Sequence, residues 1–397
     1  MRIITNDQKI NELLTRGVEN VYPNRKFLED KLKAGIPLKL YLGIDPTGST
    51  LHLGHAISLM KLRQFQELGH KIIMLIGSFT AMIGDPTDKL ATRKPLTREQ
   101  VLKNCENYRK QASVIIKFDG ENPAELKFND EWLDKLTFRD AIKIAEHLTV
   151  PRLLERDMFQ KRMQEGKTIG LHEFLYPLLQ GFDSVAMDVD GELGGNDQTF
   201  NMLVGRDLLK AIKGKEKFVL TNKLLTDNAG KKMGKTEGNM ITLDDSAEEK
   251  FGKVMAWTDD MIVNGFELCT FESMDVVKQA EQRLKKGENP RDLKLELAES
   301  IVKIYHGGKA AAQAKGKFVK MFSEKETPEE MPAFALAGKT IGAALVASGL
   351  VKSKSEARRN IVQKGVSING QVVDSEEILV KKGDVVKKGK RFFIRII

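Results

Sequence analysis

The chain is poor in the residues that staple small or secreted folds. It has two cysteines, Cys105 and Cys269, in 397 residues. Two thiols are too few for a disulfide framework or a cysteine zinc site, and they fit a reducing cytoplasm. The six histidines include no H-E-x-x-H spacing, which weakens a metal reading of any histidine pair. No run of eighteen apolar residues occurs, so no membrane span is expected. The opening "MRIITNDQKINELLTRG" lacks the apolar stretch of a signal peptide. Internal repeats are also missing. What remains is 41% hydrophobic and 30% charged, ample for a large core spread over two or three domains.

The charge is uneven. Residues 331–397 hold nine Lys and four Arg against two Asp and three Glu, and so carry +8 of the net +9. A small basic module on a nearly neutral body points either to a polyanion partner or to a solvated lysine surface.

Residues 38–44, "LKLYLGI", read as a buried strand closed by the turn residues "DPTGST". Helical spacing follows over 52–68, and "KIIMLIG" (71–77) is a second apolar strand. Strand, helix, strand argues for a parallel βαβ unit. "ERDMFQKRM" and "EFLYPLLQGF" read as helices, "SVAMDVDG" (184–191) as a strand, and a helix starts near Asn201. Residues from about 30 to 225 therefore read as a doubly wound α/β region, whose ligands bind beyond the carboxyl ends of the strands. Residues 245–320 read as helices, and "SEKETPEEMPAF" (323–334) as a charged linker with two prolines. Two short helices follow, then strands in "VSINGQVV" and "RFFIRII".

Two stretches carry chemistry. In "LHLGHAISLMKL" (51–62), His52 and His55 lie three residues apart at the start of a helix. Backbone N–H groups there favour anions, and imidazoles can donate to phosphate oxygens. Gly54 between them lets a flat ligand approach. A pair of core histidines, or part of a metal site, stays open at this point. In "DNAGKKMGKTEGN" (227–239), Lys231, Lys232 and Lys235 share a glycine-flanked loop that could close over a triphosphate, or simply be a basic turn. A third pattern is helical. Tyr176, Gln180 and Asp183 fall on one face, and buried polar groups need partners.

Together, "HLGH" and "KMGKT" resemble the HIGH and KMSKS signatures of the class I aminoacyl-tRNA synthetases. "YLGIDPT" (41–47), "IGDPT" (83–87), "YPLLQGFD" (176–183) and "GGNDQ" (194–198) look like the tyrosyl branch of bacterial type, over nearly the whole chain. The resemblance implies a Rossmann-like α/β catalytic domain (1–225) with a helical dimer insert at about 100–170. It implies a lysine-loop and α-helical domain (226–322), a linker (323–334) and a small α+β RNA-binding domain (335–397). It implies activation of L-tyrosine by ATP with Mg²⁺, transfer to tRNA(Tyr), a cytoplasmic homodimer, and no tightly held protein metal.

The resemblance also implies roles. His52, His55, Lys232 and Lys235 would be catalytic. Gly54, Asp45, Thr47, Gly195, Asp197, Met233 and Lys235 would meet ATP. Tyr41, Thr80, Asp85, Asn129, Tyr176, Gln180, Asp183 and Gln198 would line the tyrosine pocket, with Tyr41 and Asp183 at the phenolic hydroxyl. The C-terminal "SKSEARRNIVQKGVSING" resembles a small RNA-binding fold first named in a ribosomal protein, with Lys354, Arg358 and Arg359 toward tRNA. Lys354 and Arg358, at i and i+4, share a helix face. His172 reads as structural. Gly234 stands where the signature has serine, and Lys223 where proline is expected, which puts the loop's closure in doubt. A tryptophan enzyme is the neighbouring reading, but an indole gives no reason to pair Tyr41 with Asp183. A non-enzymatic RNA-binding descendant should have lost the histidines or the loop lysines.

Overall fold

The structure is a computed structural model, and it describes residues 3–87, 96–227, 230, 240–323, 331–389 and 392–397. It divides into two compact units, Met1–Ala312 and Gln313–Ile397.

The first unit is built on a sheet of six strands among the described residues. In chain order these are β1 (Val18–Tyr22), β2 (Lys39–Ile44), β3 (Lys71–Ile76), β4 (Glu125–Phe128), β5 (Gly191–Gly195) and β6 (Phe218–Asn222). Their spatial order is β1-β6-β5-β2-β3-β4, and all but β1 run parallel. From β2 the chain winds one way through β3 and β4. It then returns to lay β5 on the other side of β2. That reversal leaves a crevice at the carboxyl ends of β2 and β5, where doubly wound sheets bind ligands. The apolar strands expected at 38–44 and 71–77 are β2 and β3. They are buried on both faces, as parallel strands covered by helices must be. The short strands β1 and β4 carry no strong apolar run and were not legible in the sequence.

One expectation is corrected. Residues 184–191 do not form a strand. The helix Leu171–Met187 continues through Ser184, Val185 and Met187, all buried, and ends on Asp188 in a left-handed conformation (φ 49°). The strand comes later, in "GELGG", although three of its five residues are glycine, which disfavours strands. Packing overrides that propensity. A Cβ on Gly191 would sit 2.0 Å from Phe218 Cζ, and one on Gly194 2.9 Å from Met202 Sδ. The following helix, Thr199–Lys213, crosses Leu171–Met187 with Gly181 against Gly205, where a Gly181 Cβ would lie 3.1 Å from Gly205 N.

Beyond β6 come helices Ala247–Met255, Met261–Cys269 and Met274–Lys285, then a long helical stretch, Pro290–Ser323, broken at Gly307 (φ 80°). The second unit holds the helices Ile341–Ala347 and Lys354–Val362 over a sheet of order β7-β11-β10-β8-β9. Its strands are β7 (Ala333–Phe334), β8 (Val366–Ile368), β9 (Gln371–Val372), β10 (Val385–Lys388) and β11 (Phe392–Ile396). Its core gathers Ile341, Leu345, Ala357, Ile361, Val386 and Ile394.

The glycine strand makes a direct prediction. Gly191→Ala should lower the unfolding free energy by about 2–3 kcal/mol, because a well-packed aromatic ring must move. Urea denaturation measures this, and trimming the ring with Phe218→Leu in the same chain should recover part of the loss.

Candidate active site

The crevice opens into a cleft of about 1240 Å³, larger than a single small-molecule pocket needs. Asp45 follows β2, Gly77 follows β3, Asn129 follows β4, Gly195 to Gln198 follow β5, and Lys223 to Leu225 follow β6, so the loops after five parallel strands meet there. Tyr41, Asp45, Thr47, His52, Gly54, His55, Thr80, Asp85, Asn129, Tyr176, Gln180, Asp183, Gly195, Asp197 and Gln198 all line it. The helix face drawn from Tyr176, Gln180 and Asp183 is thus one wall of the cleft.

The histidines open the helix Leu53–Glu67. His52 is its N-cap, and its Nδ1 accepts from Gly54 N at 3.1 Å. His55 Nδ1 accepts from His52 N at 3.2 Å, closing a reciprocal capping box. The rings stack with centroids 3.9 Å apart. Gly54 is required, since a Cβ there would lie 2.9 Å from His52 Cε1. An imidazole nitrogen that accepts carries no proton, so both neutral rings hold theirs on Nε2. Burial lowers the pKa of each, and His52 lowers His55 further. Two neutral N–H donors therefore stand at a helix N-terminus. Among the described residues no cluster of three or more His, Cys, Asp or Glu is placed to hold an ion.

Across the cleft the groups are acidic and phenolic. Asp45 Oδ1 accepts from the Thr80 hydroxyl at 2.7 Å, and Oδ2 from the Tyr176 hydroxyl at 2.9 Å. Gly77 leaves room for that carboxylate, for a Cβ there would fall 1.9 Å from it. Asp85 Oδ1 accepts from Thr87, and Oδ2 from Gln198 Nε2 at 2.8 Å. Asn129 Nδ2 donates to Thr80 Oγ1 at 3.1 Å and to Asp183 Oδ2 at 3.2 Å. Burial pushes Tyr41 and Tyr176 well above the usual phenol range, with Glu192 adding at Tyr41 and Asp45 at Tyr176, so both stay protonated donors. Burial also pushes Asp183 up, opposed by the N–H donors of Trp132 and Asn129. Gln180 Oε1 is buried and has no hydrogen-bond partner among the described residues.

Several neighbours were missed by sequence reading. Trp132 Nε1 donates to Asp183 Oδ1 at 2.8 Å. Arg156 stands beside Asp85 and donates to Thr87 Oγ1 at 2.6 Å. Glu192, a carboxylate among apolar residues and glycines in β5, is the sequence signal for this group. Lys223 pairs with Glu267 at 3.0 Å. Lys231, Lys232, Met233, Gly234 and Lys235 lie outside the described residues. The segments flanking them are at the cleft. Leu225 and Met240 line it, Leu53 N donates to Ile241 O, and Leu243 N to Leu51 O. In the second unit, Lys354, Arg358 and Arg359 are exposed on one helix whose Ala357 and Ile361 face inward.

Residues 33–323 match the family of tRNA synthetases class I (W and Y), and residues 343–386 match the S4 domain. The chain belongs to the class I tRNA synthetases. It is 44% identical to a tyrosine–tRNA ligase of Haemophilus influenzae, covering 96% of this chain and 95% of that one. It is 42% identical to a tyrosine–tRNA ligase of Carboxydothermus hydrogenoformans, covering 97% of each. Within the class, it belongs to the tyrosine–tRNA ligases. A truncated mitochondrial tyrosyl-tRNA synthetase of Aspergillus nidulans shares the fold, with a TM-score of 0.69 at 22% identity over 80% of this chain and 95% of that one.

At pH 7 both cleft imidazoles should be neutral with the proton on Nε2, as long-range ¹H–¹⁵N correlation reads directly. A proton on Nδ1 in either ring contradicts the geometry. Because their folded pKa values lie below the free value of 6.5, the unfolded chain takes up protons first on acidification. The stability tied to these rings is whole above about pH 7. It should fall as pH drops through 6.5, and a melting series from pH 8 to 5 checks the sign.

Proposed function

We propose that this cleft performs tyrosine–tRNA ligation, with the assigned side chains in the following roles. The observation that carries the reading is the convergence on one cleft of the His52–His55 helix start and the Tyr176–Gln180–Asp183 helix face. The first suits polyphosphate, the second a zwitterion with a polar tail.

L-Tyrosine lies with its ammonium toward Tyr176, Gln180 and Asp85. The unpartnered Gln180 Oε1 supports this, since a buried carbonyl oxygen needs a donor. Its phenol reaches Tyr41 and Asp183, with Thr80 and Asn129 holding the carboxylates around it. Gln198 meets the substrate carboxylate. ATP enters as its magnesium complex, the ion held by the phosphates. Gly54, Thr47, Gly195, Asp197 and Met233 surround the nucleotide, with Asp45 between the substrates. The tyrosine carboxylate oxygen attacks the α-phosphorus, and the bond to the bridging oxygen of pyrophosphate breaks. His52 and His55 donate from Nε2 to the phosphate oxygens, while Lys232 and Lys235 neutralise charge moving onto pyrophosphate. A ribose hydroxyl of the terminal adenosine then attacks the tyrosyl carbonyl and AMP leaves. No covalent enzyme intermediate is needed, and catalysis rests on positioning and charge stabilisation.

The second unit supplies tRNA affinity through Lys354, Arg358 and Arg359, in keeping with its S4 match and its exposed basic helix. The chain acts as a homodimer through the insert. Phe138, Ile142, Val150 and Met163 are exposed there, an apolar set that suits a second copy. Its place is the cytoplasm. The free Cys105 and Cys269 fit that compartment, and among the described residues no helix is long and apolar enough to cross a membrane.

ATP–pyrophosphate exchange with each amino acid tests the reading. Tyrosine should support exchange far above phenylalanine and tryptophan, and exchange with tryptophan alone would overturn it. The second unit gives a separate test. Arg358→Ala with Arg359→Ala should weaken tRNA binding and flatten its salt dependence by about two charges, leaving exchange unchanged.

A further inference from the structure

Against the cleft, which Tyr41 and Glu192 line, lies a buried cluster in which Lys217, Ser184 and Glu192 have no role so far. Tyr41 on β2 is the register partner of Glu192 on β5, which in turn is the partner of Val219 on β6. Lys217 precedes Val219 by two residues, so strand alternation sets all three polar side chains on one face. The helix Leu171–Met187 covers that face and lowers Ser184 into it. Lys217, Ser184, Glu192 and Tyr41 are all buried. Gly205 makes the space, since a Cβ there would lie 2.8 Å from Lys217 Nζ and 2.9 Å from Ser184 Oγ.

The hydrogen bonds have a direction. Lys217 Nζ is 2.7 Å from Ser184 Oγ and also pairs with Glu192 Oε2. An ammonium only donates, so Ser184 Oγ accepts from it. The serine proton has two possible acceptors, Tyr41 Oη at 3.0 Å and Glu192 Oε2 at 3.5 Å. Distance favours Tyr41. Glu192 is already served by Lys217 and, at 3.3 Å, by Gln180 Nε2. Once Tyr41 accepts from Ser184, its own proton can go to Glu192, already held by Lys217 and Gln180, or to a ligand in the cleft that Tyr41 lines.

We propose that Lys217, Ser184 and Glu192 are positioning residues that turn the Tyr41 hydroxyl into a donor toward the phenolic oxygen of tyrosine. The inference rests on the reading of Tyr41 above. With tyrosine bound, one line of donors runs from Lys217 through Ser184 and Tyr41 to the substrate phenol, which donates in turn to the Asp183 carboxylate. Each link polarises the next. Phenylalanine brings no oxygen, and the Tyr41 hydroxyl loses its ligand acceptor in a buried site, a cost that falls on the wrong substrate alone.

The test is exchange kinetics of the full chain with tyrosine and phenylalanine. Ser184→Ala keeps the Lys217–Glu192 pair and removes the relay. It should lower the tyrosine-to-phenylalanine ratio of kcat/KM by about ten-fold, the worth of one hydrogen bond in a buried site, without changing the KM for ATP. Because Ser184 acts through Tyr41, adding Ser184→Ala to Tyr41→Phe should cost no further discrimination. Lys217→Met with Glu192→Gln, which removes both charges together, should lower the ratio as Ser184→Ala does. A purely structural cluster would lower the melting temperature and scale both substrates alike. The proposal is overturned if Ser184→Ala keeps the parent ratio, or if its effect multiplies with that of Tyr41→Phe. A parent ratio in the Lys217→Met, Glu192→Gln chain also overturns it. If Tyr41→Phe itself keeps the parent ratio, the reading of Tyr41 falls and this proposal falls with it. A loss in Tyr41→Phe alone removes only the relay.

Discussion

Close approach of backbone is the constraint on which the cleft depends. The strand "GELGG" and the pair Gly181–Gly205 let β5, β6 and two long helices come nearer than side chains would allow. Phe218 fills the space over Gly191, and Lys217 and Ser184 fill the space beside Gly205. A methyl group at any of these points would push apart the elements that carry Tyr41, Asp183, Glu192 and Gln198. Interiors packed to this density do not absorb such a shift cheaply. Gly54 and Gly77 do the same at smaller scale, one for an imidazole and the other for a carboxylate.

The cleft divides into two electrostatic halves. On one side, neutral imidazoles, backbone N–H groups and a helix N-terminus present hydrogen-bond donors. On the other, Asp45, Asp85 and Asp183 sit among phenols and amides that hold them by hydrogen bonds. The histidine helix follows β2, and the wall of Tyr176, Gln180 and Asp183 comes from the helix before β5. Among the described residues near that stretch, Leu225 and Met240 line the cleft, and Thr242 bridges to His52.

The basic unit is a separate small fold with its own core, and its helix Lys354–Val362 exposes Lys354, Arg358 and Arg359. That division suits RNA, where phosphate contacts supply affinity and fixed pockets are few.

Much of this was legible in the residues alone. The apolar runs of β2 and β3, the histidine helix start, the polar stripe on the helix 171–187 and the basic tail all follow from local patterns with a strong physical signal. The reading failed where local preference and packing disagree. Residues 184–187 look extended but continue a helix whose buried face they complete, and the glycine-rich "GELGG" is a central strand because its neighbours need the space. Trp132, Ser184, Glu192 and Lys217 are scattered over 86 positions, and no periodicity links them. The sequence by itself determined which chemical groups the chain carries and which segments would bury them. Tertiary structure alone decided the register that sets Tyr41 beside Glu192 and within reach of Lys217, because strand pairing is a non-local contact that no window of the chain contains.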